Sequence, residues 1–535
     1  MWTADRLKSK EMDLKTESNR LNILILALGL LLGAYARFLP TLTVGFPVTD
    51  GGLFYVMVKA LQASHYSLPA FVEYNGFSIP FAYPPLGFYI AGLVSDLFNM
   101  PLIEVFRWMP AIGSVIFAIA FFPMASAILK STLRGSLATV FFALLPRSIS
   151  WYIMGGGITR VLGHLFLMLI LFSAYKLFTV PSKKYLVMTI LFGSGVVLSH
   201  PEAALHTMIL CIVLWAFFGR SREGIKNALW TALGVIVLTA PFFLTVISRH
   251  GLQPYLSAAQ TGFQSPLAWV AILTGSFADE KFVTVISALA FLGVVVALVR
   301  REFLLVVWLF LPAIIDPRSA ASISIIPWAM LAAGGFVDIV VPGLYSLNNK
   351  WQVSQDIDAN WHFYFSNSPA IKIAVTALIF YAFFGTVLSD QVYPKVSLTP
   401  SDRSAMDWVA NNVPQQSRFV ILTGETEVFA DPVSEWFPVL SNNASIATIQ
   451  GSEWLPDGLH QKKMNEYYEL QACMNRTFTC VDQWAEKTNN RPDYVLVSQD
   501  GLSNKKNSLL TSLMESTNYQ LVHQETDVYI FEHTP

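Results

Sequence analysis

Long apolar runs alternate with short polar segments over the first 395 residues. Runs of about 17–25 residues with little or no charge are long enough to cross the ~30 Å hydrocarbon core of a bilayer as helices. We therefore predict a polytopic α-helical membrane protein with about eleven transmembrane helices, of which the third, fifth and ninth are short. The predicted spans are 21–43, 105–129, 132–149, 158–179, 184–199, 201–219, 227–248, 282–299, 302–316, 322–345 and 369–391.

The pattern changes at about residue 396. RFVILTG and DYVLVSQ are short apolar runs typical of buried strands, whereas SDRSAMDWVANNV and NSLLTSLMES have the spacing of helices. The sequence thus predicts three parts. They are a cytoplasmic N-terminal segment (1–20), a transmembrane domain (21–395) and a C-terminal extracytoplasmic α/β domain (396–535).

Basic residues predict how the chain is oriented. Lysine and arginine favour the cytoplasmic ends of spans, and here they fall on alternate turns, all on one side if the N-terminus is cytoplasmic. An odd number of spans then places the C-terminal domain outside the cytoplasm, and we expect a multi-pass protein of the plasma membrane. The basic residues are Arg6, Lys8, Lys10, Lys15, Arg20, Lys130, Arg134, Lys183, Lys184, Arg220, Arg222, Arg300 and Arg301.

Composition agrees with a membrane protein. Of the 535 residues, 54% are hydrophobic and 13% are charged, whereas about 25% of residues are charged in a soluble protein. The net charge of −1 argues against a nucleic-acid partner. The chain has no evident internal repeat, and many transporters have one.

The first predicted outer loop, residues 44–104, begins with PVTDGGLFY. Two interpretations of Asp50 are open. It caps the helix predicted at FYVMVKALQA, with Gly51 and Gly52 relieving the turn, or it is a general base at the membrane surface. Both FYVMVKALQA and YPPLGFYIAGLVSDLF are predicted to lie along the interface as helices.

A second polar group is predicted where the span at 158–179 begins. Gly155, Gly156 and Gly157 run directly into this span, and free N–H groups at a helix N-terminus suit an anion. Arg160 lies one turn further on, and its guanidinium suits a phosphate. The alternative is a flexible turn followed by an arginine that reaches back to the interface.

Two more polar groups belong to the same predicted face. In SHPEAALHT, His200, Glu202 and His206 either line a headgroup pocket or, with Asp50 as a further weak candidate, bind a divalent metal. Part of this group is also explained as a helix cap at His200. Arg318, in IIDPRSAAS, lies on the predicted outer side, where a lipid phosphate would account for it; Asp316 is its alternative partner.

Three cysteines are present. Cys211 lies within a span, where a small apolar residue is expected. Cys473 and Cys480 are seven residues apart in the predicted outer domain, where the environment permits a disulfide bond. The sequence leaves open whether they form one.

The order of these features resembles the membrane glycosyltransferases of the C superfamily, which use polyprenyl-phosphate sugars. Protein O-mannosyltransferases, aminoarabinose transferases and oligosaccharyltransferases are among its members. The resemblance rests on a first span, Asp50 in the loop that follows, the Tyr83-Pro84-Pro85-Leu86 motif, a span beginning RWMPAIGSV, and an α/β domain at the C-terminus. It covers residues 21–345 in layout.

This resemblance implies transfer of a sugar from a polyprenyl-phosphate donor to an extracytoplasmic glycan, lipid or protein acceptor, within the lipid membrane. Asp50 would be the base of an inverting displacement. Arg160, Arg318, Gly156 and Gly157 would hold the donor phosphate. The pocket residues would be His200, Glu202, His206, Tyr83 and Tyr55.

The chain departs from the family in its second acidic residue. Many relatives have Asp-Glu in the first loop, whereas Asp50 is followed by two glycines. A metal-dependent mechanism needs a second carboxylate, for which Asp279 and Glu280 are candidates, so no cofactor is certain and a divalent metal stays an open alternative. The stretch GETEVFADPVSEWFP forms either a loop over the site or an ordinary surface loop.

Two other functions are kept as alternatives. A lipid or glycolipid transporter would place broken helices and polar residues at the midplane of the bilayer, whereas the polar groups here collect at one predicted face. A non-catalytic protein that binds glycans through its outer domain would bind without turnover.

Cysteine labelling tests the predicted orientation. In a background without Cys211, single cysteines placed near Ser9 and near Ser508 should react with a membrane-impermeant reagent from opposite sides of the membrane. Reaction of both positions from the same side would contradict the orientation.

Overall fold

Helices make up most of the chain in this computed structural model, which describes residues 2–261, 270, 274, 284–348, 357–499 and 508–534, and of residues 2–15 only the backbone. The helices of the first 395 residues are α1 (Trp2–Val44), α2 (Gly52–Ala63), α3 (Leu86–Leu97), α4 (Leu102–Leu129), α5 (Thr132–Ala143), α6 (Gly157–Thr179), α7 (Lys183–Val197), α8 (Pro201–Phe218), α9 (Arg222–His250), α10 (Gln253–Ala259), α11 (Val285–Arg300), α12 (Leu304–Ile315), α13 (Ala320–Gly335), α14 (Val341–Asn348), α15 (Trp361–Asn367) and α16 (Pro369–Ser389).

Each of the eleven predicted spans coincides with a helix. Seven helical segments of the described chain are long and apolar enough to cross a membrane: Thr16–Val44, Leu102–Leu129, Gly157–Thr179, Pro201–Phe218, Arg222–His250, Ala320–Leu347 and Pro369–Asn412. The other four predicted spans are α5, α7, α11 and α12. They have 12 to 16 residues, or about 18–24 Å at 1.5 Å per residue, which is less than the bilayer core. The membrane-protein class is therefore confirmed, and the number eleven stays a prediction.

The loop between the first two long helices holds both predicted short helices, α2 and α3. The structure adds an antiparallel hairpin of β1 (Phe71–Tyr74) and β2 (Phe77–Pro80), which the sequence analysis did not predict. Its strands have four residues each, too few for a clear alternation of apolar and polar residues. Helix α3 begins directly after the two prolines of the Tyr83–Leu86 motif.

The C-terminal domain has an α/β fold, as predicted. Its mixed sheet has the strand order β4-β3-β5-β7-β6, with β3 parallel to β4 and β5, and β7 antiparallel to β5 and β6. The strands are β3 (Arg418–Leu422), β4 (Ala444–Ser445), β5 (Tyr494–Ser498), β6 (Tyr519–Gln524) and β7 (Val528–His533). The helices are α17 (Pro400–Asn412), α18 (Pro432–Ser441), α19 (Leu459–Gln471), α20 (Phe478–Thr488) and α21 (Ser508–Met514). Cys473 and Cys480 are joined by a disulfide bond.

The C-terminal domain packs directly on the loop that leaves α1. Phe46 is buried in one hydrophobic cluster with Trp436 and Phe419 of the domain, and the ring centroids of Phe46 and Trp436 are 5.0 Å apart. The segment that follows the first span therefore shares a hydrophobic core with α18 of the C-terminal domain.

Arg37 fixes the last turns of α1 against two other helices. Its guanidinium is fully buried and donates to the carbonyl oxygens of Gly33, Ser114, Ala143 and Ser148 at 2.7–3.2 Å. An arginine inside a span is costly unless its donors are satisfied. This network sets where the chain leaves α1.

Two glycines allow α11 and α13 to pack closely. A Cβ added at Gly293 would lie 1.9 Å from the carbonyl oxygen of Leu331, and one added at Gly335 would lie 2.1 Å from that of Leu289. Main-chain atoms of one helix therefore occupy the space that a side chain on the other would need.

We expect Gly293→Ala to destabilise the protein, because the methyl group would push α13 away from α11. Alanine favours a helix over glycine by about 1 kcal/mol, so the steric effect must exceed this gain. Gly385→Ala in α16 is the matched control, since none of the described atoms lies within 4 Å of its added Cβ. Thermal unfolding in detergent should show a lower Tm for Gly293→Ala and an equal or higher Tm for Gly385→Ala. Equal Tm values would contradict the packing argument.

Candidate active site

The polar groups expected at the predicted outer side meet at one end of the helical region, against the C-terminal domain. We call this end the domain face. It is built by the loop 45–51, the segment between β2 and α3, the N-terminus of α6, the α7–α8 turn and the α12–α13 turn. Contacts link these parts: Asp50 to Gly156, Tyr83 to His200, and Arg318 to both Glu202 and Phe429.

Asp50 occupies the predicted anion site. Its Oδ1 accepts a hydrogen bond from Gly156 N–H at 2.7 Å. The N–H groups of Gly155 and Gly157 donate to the carbonyl oxygens of Val48 and Met154, each at 2.8 Å. The three glycine N–H groups are thus all used within the chain, and the expectation that Gly156 and Gly157 offer free donors to a phosphate is corrected. The helix N-terminus does bind an anion, but that anion is the Asp50 carboxylate.

The structure also revises the capping role that was considered for Asp50. Asp50 does not cap α2, because the N–H of Gly51, the cap residue, donates instead to Glu435 Oε1 at 3.0 Å. The two glycines do not leave open space for an acceptor. A Cβ at Gly51 would lie 3.0 Å from the main chain of Gly155, and one at Gly52 would lie 2.6 Å from the carbonyl oxygen of Glu435.

Glu435 is the second acidic residue of the site, and the sequence analysis did not single it out. It lies in α18, inside the stretch GETEVFADPVSEWFP for which two interpretations were open. Its carbonyl oxygen accepts from the Tyr74 hydroxyl at 2.7 Å, and the neighbouring Trp436 Nε1–H donates to Thr49 O at 3.0 Å. This stretch therefore contacts the residues on both sides of Asp50, Thr49 and Gly51. The earlier candidates, Asp279 and Glu280, lie outside the described residues.

Both carboxyl groups lie outside the membrane-spanning segments, with Glu435 buried and Asp50 partly buried. Burial raises the pKa of Asp50, and the Gly156 N–H and the Arg160 guanidinium oppose this shift. Burial and the nearby Asp50 charge raise the pKa of Glu435 to about 8. Because Asp50 has the cation and the helix N-terminus beside it, we assign the single negative charge at neutral pH to Asp50 and the proton to Glu435.

Arg160 and Arg318 lie on the domain face, as predicted. Arg160 Nη1–H donates to Trp151 O at 3.3 Å, and its guanidinium lies 5.3 Å from the centroid of the Trp151 ring. Arg318 Nε lies 3.6 Å from Glu202 Oε1, with the arginine side chain 42% exposed. Neither contact saturates the five donors of a guanidinium, so both side chains retain donors for an anionic ligand.

Asp316 is not the side-chain partner of Arg318. It receives the backbone N–H of Arg318 at 3.2 Å, and its Oδ2 lies 3.4 Å from His206 Nε2. Ser319 bridges the two, since its hydroxyl donates to Asp316 and lies 2.9 Å from His206 Nε2. His206 is therefore held by the α12–α13 turn.

The other predicted pocket residues are divided between two environments. Tyr83 lies in the polar group, with its hydroxyl 3.2 Å from Thr159 Oγ1 and its ring 6.4 Å from the His200 ring. Tyr55 instead packs in an apolar cluster, with its ring 6.0 Å from that of Trp436. It supports the Asp50 loop and does not line the polar group.

The four weak metal candidates are not gathered around one point. His200 Nδ1 accepts from Ala203 N–H at 3.3 Å and so caps α8, Glu202 faces Arg318, and His206 faces Asp316 and Ser319. Within the described part of the chain, no group of three or more His, Cys, Asp or Glu residues is placed to hold a metal ion. We therefore derive no step through a metal.

Comparison with solved structures gives the fold. The chain is similar to ArnT from Cupriavidus metallidurans bound to undecaprenyl phosphate (TM-score 0.56, 12% identity, 95% of this chain and 97% of that chain). It is also similar to the archaeal oligosaccharyltransferase AglB from Archaeoglobus fulgidus in complex with an inhibitory peptide and a dolichol-phosphate (TM-score 0.53, 13% identity, 89% and 69%). A third similar structure is the mycobacterial arabinofuranosyltransferase AftD (TM-score 0.54, 12% identity, 96% and 40%).

These neighbours confirm the predicted fold class, a polytopic α-helical membrane protein with a C-terminal α/β domain. No protein-family model and no curated protein matches the sequence. At 12–13% identity the similarity concerns the fold.

The raised pKa of Glu435 predicts a pH-dependent stability difference. An unfolded glutamate titrates near 4.3, whereas Glu435 in the folded protein titrates at about 8. The folded state therefore binds more protons between these values, and the contribution of Glu435 to stability falls as pH rises from about 4.3 to about 8.

Glutamine at this position stays neutral, so the Tm of Glu435→Gln minus that of the wild type should be larger at pH 9 than at pH 5. Thermal unfolding in detergent measures this. Glu486→Gln, at an exposed position of α20, is the control and should give one difference at both pH values. A pH-independent difference for Glu435→Gln would show that Glu435 is not protonated in the folded state.

Proposed function

We propose that this protein transfers a sugar from a polyprenyl-phosphate donor to an acceptor on the side of the membrane occupied by the C-terminal domain. The observation that carries the proposal is the position of Asp50, whose carboxyl Oδ1 accepts a hydrogen bond from Gly156 N–H at 2.7 Å in the field of Arg160. The fold supports it, because the similar structures include one with dolichol-phosphate and one with undecaprenyl phosphate.

Asp50 is proposed to be the general base. Burial raises its pKa and makes it a stronger base than an exposed aspartate, while the Gly156 N–H and Arg160 keep it ionised. In an inverting displacement, the acceptor oxygen or nitrogen forms a bond to the anomeric carbon as the bond from that carbon to the phosphate oxygen breaks. Asp50 takes the proton of the acceptor, and polyprenyl phosphate leaves as an anion.

Arg160 and Arg318 are proposed to bind that phosphate. Both are on the domain face, and each retains guanidinium donors beyond its present contacts. A phosphate between them would gain charge-assisted hydrogen bonds that strengthen as the leaving group becomes more negative. Tyr83, His200, Glu202 and His206 would line the pocket for the sugar or the acceptor, and apolar helix surfaces would contact the prenyl chain.

The domain face is proposed to be extracytoplasmic, in the plasma membrane. The basic residues at the opposite ends of the helices support this orientation. Arg134 and Arg300 both lie there and pair with Asp338. A transporter is less well supported, because the polar side chains of the site lie at helix ends beside the C-terminal domain and not at the bilayer midplane.

Two substitutions separate the proposed roles. Asp50→Asn keeps an acceptor oxygen for Gly156 N–H but cannot take a proton at neutral pH, so turnover should fall roughly 10²–10⁴-fold while donor binding stays nearly unchanged. Arg160→Ala should weaken donor binding as well as turnover, because a phosphate contact exists before the reaction too. The measurement is release of prenyl phosphate from a panel of labelled prenyl-phosphate sugars by purified protein in lipid.

Asp407→Asn, an exposed aspartate in α17, is the control and should keep wild-type turnover. Wild-type turnover by Asp50→Asn would show that Asp50 only caps α6. Tight glycan binding without release of prenyl phosphate by the wild type would favour the non-catalytic glycan-binding protein instead.

A further inference from the structure

The loop that carries Asp50 has an unusual backbone. Thr49 has φ of 58° and Gly51 has φ of 124°, so two of three consecutive residues lie in the left-handed region. A β-branched residue such as Thr49 rarely adopts this conformation. A strained backbone conformation persists only where the surrounding structure fixes it. Contacts with other parts of the protein must therefore hold the conformation of Thr49.

The C-terminal domain forms hydrogen bonds with this loop at Thr49 and at Gly51. Thr49 O accepts from Trp436 Nε1–H at 3.0 Å, and Thr49 N–H donates to Ser397 Oγ at 3.2 Å. Gly51 N–H donates to Glu435 Oε1 at 3.0 Å. These three partners are separated from the loop by 348 to 387 residues of sequence, so a local turn motif does not account for the conformation.

Glu435 is itself held on both sides. Gln450 Nε2–H donates to its Oε2 at 3.3 Å, and the Tyr74 hydroxyl donates to its carbonyl oxygen at 2.7 Å. The main chain of Glu435 also abuts Gly52, where an added Cβ would lie 2.6 Å from the Glu435 carbonyl oxygen. The first turn of α18 and the first turn of α2 are therefore in direct main-chain contact.

We propose that Glu435 is a positioning residue, which acts with Trp436 to hold loop 49–52 so that Asp50 faces the N-terminus of α6, and that sugar transfer requires the C-terminal domain docked in this way. The catalytic part of this inference rests on the function proposed above. The structural part of the inference, that Glu435 fixes the loop, is independent of that proposed function.

The contact predicts a specific difference between two variants. Glu435 acts through a hydrogen-bond acceptor for Gly51 N–H, and a glutamine side chain offers the same acceptor oxygen. Alanine offers none and leaves the first N–H groups of α2 without this partner. Glu435→Gln should therefore retain the position of Asp50, whereas Glu435→Ala should lose it.

Steady-state kinetics of the full-length protein in lipid give the first test. We expect Glu435→Ala to lower kcat by roughly 10–100-fold, since displacement of a catalytic group by about 1 Å has an effect of this order, with the donor KM within about 2-fold of the wild type. Glu435→Gln should keep kcat within about 3-fold. Gly52→Ala, which pushes α2 away from α18, should resemble Glu435→Ala, and Gly343→Ala, with no described atom within 4 Å of its added Cβ, should not.

Hydrogen–deuterium exchange of the peptide spanning 47–55 gives a second test that does not depend on activity. Exchange in this peptide should rise at least several-fold in Glu435→Ala and Gly52→Ala, and should stay near the wild-type rate in Glu435→Gln and Gly343→Ala. Unchanged exchange in Glu435→Ala would overturn the proposal, whatever the kinetics show.

Two kinetic outcomes would also overturn it. Wild-type kcat in Glu435→Ala would mean that the contact is not needed, and loss of activity in Glu435→Gln equal to that in Glu435→Ala would mean that the acid group itself reacts. Failure of the proposed function has a different signature, namely wild-type turnover by Asp50→Asn with the exchange results as expected. If Glu435→Ala does not fold, the comparison of Gly52→Ala with Glu435→Gln decides between the outcomes.

Discussion

The hydrogen bond from Gly156 N–H to the Asp50 carboxylate joins two parts of the chain on which the domain face is built. Asp50 follows the first span, and Gly156 is the residue that precedes α6. The bond brings a negative charge to the positive end of a helix, and it places Arg160, one turn along α6, in the field of the same carboxylate. The C-terminal domain holds the same loop through two hydrogen bonds, one between Glu435 and Gly51 N–H and one between Trp436 and Thr49 O. The charge of the Asp50 carboxylate is favoured here because Gly156 N–H donates a hydrogen bond to it and Arg160 places a positive charge nearby.

Charge on the domain face is arranged in pairs. Asp50 lies near Arg160, Glu202 lies near Arg318, and Asp316 lies near His206. The Arg318–Glu202 pair is the more exposed, so it can exchange a carboxylate for a phosphate at little cost in desolvation. Glu435 is buried and Asp50 is partly buried, and the Asp50 charge is one cause of the raised pKa of Glu435. This arrangement leaves the Arg318 side chain 42% exposed and Glu435 buried.

The opposite end of the helices is held by a different ion cluster. Arg134 and Arg300 each form two hydrogen bonds of 2.8–3.1 Å with Asp338, which lies in the π-helical turn Phe336–Val340 after α13. Two hydrogen bonds between one guanidinium and one carboxylate fix the relative orientation of the two groups as well as their distance. The basic residues that predict the cytoplasmic side therefore also tie α5 and α11 to the long helix between them.

The sequence by itself determined the layout. Apolar runs, basic loops, the two short helices after the first span and two strands of the C-terminal domain, β3 and β5, could be predicted because each depends on neighbouring residues only. Arg160 and Arg318 could be selected because basic residues are less common on the predicted outer side, and Asp50 because it follows the first span.

Only the tertiary structure decided which partners these residues have. Glu435 is separated from the Gly51 N–H that it accepts by 384 positions, and no periodicity connects them. The glycine N–H groups at 155–157 appeared free in the sequence, because their acceptors belong to a different segment or to the preceding turn. Hydrogen bonds between distant segments depend on how the helices pack, and packing is a property of the whole chain.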